Sequence, residues 1–77
     1  MDKTVDYELV GDNLYRIMKE KKITQTELGK RMCIYPSVVS TYVLGKSSPK
    51  VSRLQEIAVE LGVDVRELLK PREEWEE

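Results

Sequence analysis

Apolar residues in this chain recur at intervals of three and four rather than two, and the runs are separated by Gly, Pro and Ser/Thr positions. That spacing lays side chains along one stripe of an α-helix, so helices are expected throughout and strands nowhere. A first helix should begin between Tyr7 and Asp12 and run to Lys21 or Lys22, with Val10, Leu14, Ile17 and Met18 on one face. The stretch Thr24-Gln25-Thr26-Glu27 has capping-box spacing: the Thr24 hydroxyl accepts from the Glu27 N–H, and the Glu27 carboxylate reaches back to the Thr24 N–H. A short second helix follows from there to about Met32. After Cys33-Ile34-Tyr35, Pro36 suits the first turn of a third helix, because its missing N–H would have no partner there. Gly45 is expected to close that helix.

Downstream, Ser48 is expected as a cap with Pro49 at the first helical position. A fourth helix carries Leu54, Ile57, Ala58 and Leu61 and stops at Gly62. Asp64 to Glu67 repeats the cap spacing and opens a last short helix with Leu68 and Leu69, ended by Pro71. Residues 1–8 read as a flexible N-terminal segment, 9–70 as the folded domain and 71–77 as an acidic tail that frays unless Trp75 docks.

At 77 residues the chain is sized for one domain. It has a single cysteine, Cys33, and no histidine, which removes an internal disulfide, a Cys/His metal cluster and Ser–His or Cys–His catalysis. Glu56 and Glu60 read as a solvated face rather than an acid/base pair. A non-enzyme without cofactor or metal is therefore expected. No apolar run is long enough to span a bilayer, and the acidic start MDKTVDYELV lacks the pattern of a signal peptide, so a soluble cytoplasmic protein is expected. The net charge is −1, but it is unevenly placed. Residues 13–72 hold twelve Lys and Arg against six Asp and Glu, while both ends are acidic. Attraction to phosphates follows the local face rather than the overall balance, so a polyanionic partner fits the middle of the chain.

Helices two and three are short and joined by three residues, so they must cross steeply, which is helix-turn-helix geometry. Gly29 permits their close approach, and Leu28, Ile34, Val39 and Tyr42 point inward. The outward face of helix three is then Ser37, Val38, Ser40, Thr41 and Leu44, narrow enough to enter a major groove.

With ITQTELGKRM, a third helix ending in VLGK, and LQEIAVELGVDVRELL in that order, residues Val10 to Leu69 resemble the Cro/CI-type (XRE) helix-turn-helix family of phage and bacterial repressors. The resemblance implies an all-α, five-helix, lambda-repressor-like domain that binds double-stranded DNA in a sequence-specific way as a transcriptional regulator, with residues 36–44 as recognition helix. It implies a homodimer joined near the last helix. It also implies that Gln25 bonds a phosphate, that Ser37 and Thr41 face base edges, and that Lys46, Lys50 and Arg53 grip the backbone; Thr24, Val38, Ser40 and Pro36, whose apolar surface suits a thymine methyl, complete the candidate DNA-binding set. Four features depart from the family pattern. Pro36 replaces a Gln, Cys33 replaces a left-handed turn glycine, and Tyr35 replaces a Ser/Thr cap. Met18 and Val43 together replace an Arg–Glu pair, a joint change that keeps a contact. Leu44 stands where a polar or basic residue would face the backbone. A rival reading is a protein-interaction module or antitoxin-like protein that docks a protein partner on Val38, Val43 and Leu44.

Overall fold

The computed structural model describes residues 6–75. Four α-helices and two 3-10 helices make up the ordered elements: α1 (Tyr7–Lys21), α2 (Gln25–Met32), α3 (Pro36–Val43), α4 (Val51–Leu61), then 3-10 helices at Val65–Leu69 and Arg72–Glu74. No strand occurs among the described residues. Asp6 caps α1 by accepting from the N–H groups of Glu8 and Leu9. The segment expected to be flexible therefore overlaps α1 at Tyr7 and Glu8, and its residues 1–5 lie outside the described residues.

The predicted stripes form the core. Val10, Leu14, Ile17 and Met18 of α1, Leu28 of α2, Val39 of α3, Leu54, Ile57, Ala58 and Leu61 of α4, and Leu68 make one buried cluster. Burial of each such aliphatic side chain stabilises the fold by about 1.5–3 kcal/mol before entropy is charged against it. Ile34, Tyr42 and Val43 pack against its edge.

Two glycines let backbones meet. A methyl on Gly29 would stand 2.8 Å from the Ile34 carbonyl oxygen, so α2 can pass the start of α3 only without a side chain there. Gly11, which the sequence reading did not single out, is tighter: a methyl would stand 2.6 Å from the carbonyl oxygens of both Tyr42 and Val43. The end of α3 thus rests on the backbone of α1.

Three expected caps differ. Thr24 does cap α2, its hydroxyl accepting from Glu27 N–H at 3.1 Å. The Glu27 carboxylate, however, turns along the helix and accepts from Arg31 Nη2 at 3.1 Å. Arg31 also donates through Nη1 to the Glu60 carbonyl at 3.0 Å, satisfying a free acceptor at the end of α4. Ser48 and Pro49 do not open α4. The Ser48 hydroxyl donates to the Pro49 carbonyl at 3.3 Å and Pro49 is itself buried. Lys50 stays extended, and the first helical bond runs from Leu54 N–H to the Lys50 carbonyl at 2.8 Å.

The expected fifth helix is a 3-10 helix. The Asp64 carboxylate accepts from Arg66 N–H at 2.9 Å, while Glu67 N–H goes to the Asp64 carbonyl at 2.9 Å, and Lys70, preceding Pro71, is forced to extended geometry. Only five residues remain, and their far end is held from outside: Asn13 Nδ2 donates to the carbonyls of Leu68 and Lys70, each at 3.0 Å. The segment beyond is also ordered. Trp75 Nε1 donates to the Lys70 carbonyl at 3.3 Å, the Arg16 guanidinium lies 5.1 Å from the Trp75 ring, and Arg72 pairs with Asp12. Glu76 and Glu77, the end of the expected acidic tail, lie outside the described residues.

Candidate nucleic-acid interface

The angle between α2 and α3 is set by the turn between them. Cys33 adopts φ 60° and ψ 40°, the left-handed conformation that the family resemblance places there, and its N–H caps α2 on the Gly29 and Lys30 carbonyls. Ile34 N–H follows onto the Gly29 carbonyl at 2.9 Å. Tyr35 then extends, and Pro36 starts α3 with no side-chain cap, as the loss of Ser/Thr at Tyr35 implies.

This geometry seals one side of α3 and frees the other. Val39 is buried, while Tyr42 and Val43 lie against the core. Pro36 and Ser37 are exposed, Val38, Ser40 and Thr41 are half-buried, and Leu44 is 62% exposed. Met18 belongs to the buried cluster and Val43 packs against that cluster's edge, so both positions of the replaced ion pair are used for apolar burial; Val43 also borders a recess with Ile23, Thr24 and Gln25. That position withdraws Val43 from the outer surface on which the rival reading placed it. Gln25 is half-buried in the same recess, beside Lys19 and the capped start of α2.

Thr41 is not free in the way its sequence position implies. Its hydroxyl donates to the Val38 carbonyl at 2.7 Å and accepts from Ser47 Oγ at 3.0 Å. These bonds, with Lys46 N–H on the Thr41 carbonyl at 2.9 Å, tie the following loop to the end of α3. The tie keeps Lys46 close to α3. Lys50 lines a concave recess with Arg53, Ser47, Ser48 and Ser52 at the start of α4, whose first N–H groups have no side-chain cap. No carboxylate among the described residues comes within 4.0 Å of Lys46 or Lys50, whereas Arg53 pairs with Glu56 at 3.5 Å. Thr24 and Gln25 thus share one recess with Val43, and Lys50 and Arg53 share another with Tyr42, so both recesses adjoin the last turn of α3.

Sequence reasoning missed Asn13 and Gly11. Asn13 is fully buried, and a buried amide inside an apolar stripe is invisible to periodicity. Its signal is chemical: its backbone partners lie 55 and 57 residues away. No group of three or more His, Cys, Asp or Glu suited to a metal occurs among the described residues. No described helix is long and apolar enough to cross a membrane.

A family model described as Helix-turn-helix matches residues 14–68. Over 67 residues the chain is 37% identical to an uncharacterized HTH-type transcriptional regulator, y4dJ, of Sinorhizobium fredii, covering 87% of each protein. Its fold matches that of the hypothetical transcription factor NHTF from Neisseria with a TM-score of 0.83 at 23% identity, over 96% of this chain and 85% of that one. The BldD DNA-binding domain of S. venezulae superposes with a TM-score of 0.75 at 27% identity, over 84% of this chain and 97% of that one. The matched span contains the whole of α2, the Cys33 turn and α3, and the chain belongs to the helix-turn-helix family, in the Cro/CI-type (XRE) class.

Proposed function

We propose that this chain is a transcription regulator that binds double-stranded DNA, laying the exposed face of α3 in the major groove. The observation that carries the reading is the exposed first turn of α3, Pro36 and Ser37, set on a helix whose opposite side is sealed by Val39. The N-terminal residues of a recognition helix are the ones that meet base edges. In this arrangement Ser37, Val38 and Ser40 face bases, and Thr24 and Gln25 meet a phosphate at the positive end of α2. Lys46 and Lys50 grip the backbone together with the uncapped N–H groups of α4. Thr41 contributes by holding the Lys46 loop, since its hydroxyl is already engaged.

The relatives support the reading. One is named as a transcriptional regulator and one as a DNA-binding domain. We assign the chain no catalytic role and place it in the cytoplasm. A homodimer is the expected binding form, because one module covers a single short half-site and pairing adds affinity. Fluorescence anisotropy with mixed genomic fragments at low salt, alongside sedimentation with and without duplex, tests this. Binding that weakens steeply with salt supports it; absence of binding at low salt overturns it.

Leu44 carries a second reading, a surface for a protein partner: it is a 62% exposed aliphatic side chain at the end of α3, where a polar or basic residue is expected against DNA. A captured protein whose binding is lost in Leu44→Lys, while DNA binding survives, would establish it.

A further inference from the structure

The composition of α3 narrows how it can tell one base pair from another. Direct discrimination in the major groove rests mainly on paired hydrogen bonds from Arg, Lys, Asn, Gln, Asp or Glu. Helix α3, PSVVSTYV, contains none of these. Its hydroxyls do little better. Thr41 is engaged with Val38 and Ser47, and Ser37 and Ser40 each offer a group that donates or accepts with equal ease.

What the leading end of α3 does offer is apolar surface. Tyr35 is 78% exposed, Pro36 is exposed beside it, and Val38, within the same first turn and three residues on from Tyr35, is half-buried. In the major groove one base feature is apolar, the C5 methyl group of thymine. Resting on the DNA-binding reading, we infer that this chain selects its site through thymine methyl groups packed against Tyr35, Pro36 and Val38, and that paired hydrogen bonds contribute little to the choice. Lys46 and Lys50 supply affinity that is indifferent to sequence, and the apolar edge supplies the preference.

The test uses the unaltered protein. A duplex is first selected from random sequence, and each thymine in it is then replaced singly by deoxyuridine, which removes the methyl group and leaves every hydrogen-bonding group in place. Affinity at fixed salt should fall about fourfold at each contacted thymine, the scale of burying one methyl group. A second arm exchanges the most sensitive thymine pair for a cytosine pair and then for 5-methylcytosine, which should recover part of the lost affinity. In Pro36→Gln, the deoxyuridine effect at the thymine nearest Pro36 should vanish. Deoxyuridine without effect at every position, or 5-methylcytosine no better than cytosine, overturns the inference while leaving DNA binding intact. Selection that yields no bound duplex overturns both.

Discussion

Asn13 shows how much one buried polar side chain can decide. Its amide donates to the carbonyls of Leu68 and Lys70, and its Oδ1 accepts from Arg16 Nη2 at 3.0 Å, so a single residue of α1 fastens the chain's last turns. Asn13→Leu keeps the volume but removes the donor to the Leu68 carbonyl and leaves the Lys70 carbonyl with Trp75 alone, and stability should fall by about 2 kcal/mol in urea unfolding. The sole tryptophan, Trp75, bonds to the same Lys70 carbonyl, so its fluorescence should shift toward the red in that variant before global unfolding. Unchanged emission and stability would refute the assignment. Asp64 makes a smaller, pH-dependent contribution. The Arg66 backbone N–H, then its side chain, holds the Asp64 carboxyl below its ordinary 3.8. A depressed folded-state value stabilises above the ordinary value and is lost as pH falls through the depressed one. Asp64→Asn should therefore unfold less steeply with acid below about pH 3.8 than the parent, as followed by circular dichroism.

At the level of elements, the turn between α2 and α3 is the part most open to improvement. Cys33 holds φ 60°, where a side chain other than glycine's is strained by about 1 kcal/mol. Cys33→Gly should raise stability by up to that amount in urea unfolding, and so should Lys22→Gly at the same φ after α1. No gain at either position would mean that chain entropy lost by glycine cancels the relief. The elements also mark where the sequence was legible. The α1 and α4 stripes were readable because period and burial coincide at Val10, Leu14, Leu54 and Ile57. The α2 cap at Thr24 and the α3 start at Pro36 were readable because local chemistry alone fixes them. Ser48 misled because Pro49 is used for burial rather than for opening a helix. The last helix misled because its form depends on Asn13 and Pro71, one distant and one just beyond its end. At the candidate interface, the exposed residues of α3 followed from the turn, but the engagement of Thr41 depended on Ser47 in a loop that no pattern describes.

For the whole molecule, the question is whether a protein of net charge −1 can hold a polyanion. The distribution answers it: Lys46 and Lys50 have no carboxylate within 4.0 Å among the described residues, while cations farther along the chain are paired, Arg72 with Asp12 and Arg66 with Asp64. Ion pairs near the last turns thus spend their charge on the fold, and the lysines around α3 keep theirs for a ligand. The logarithm of the association constant for duplex DNA should then fall linearly with log salt, with a slope set by the phosphates neutralised and not by the overall charge. Lys46→Ala and Lys50→Ala should each flatten that slope by about 0.9, and the double variant by about twice as much, with the preference among sequences unchanged. Arg66→Ala, which removes a cation already paired with Asp64, should leave the slope where it was. If Arg66→Ala lowers the slope as much as Lys46→Ala does, the grip on DNA is a property of total charge, and the face around α3 has no special part in it.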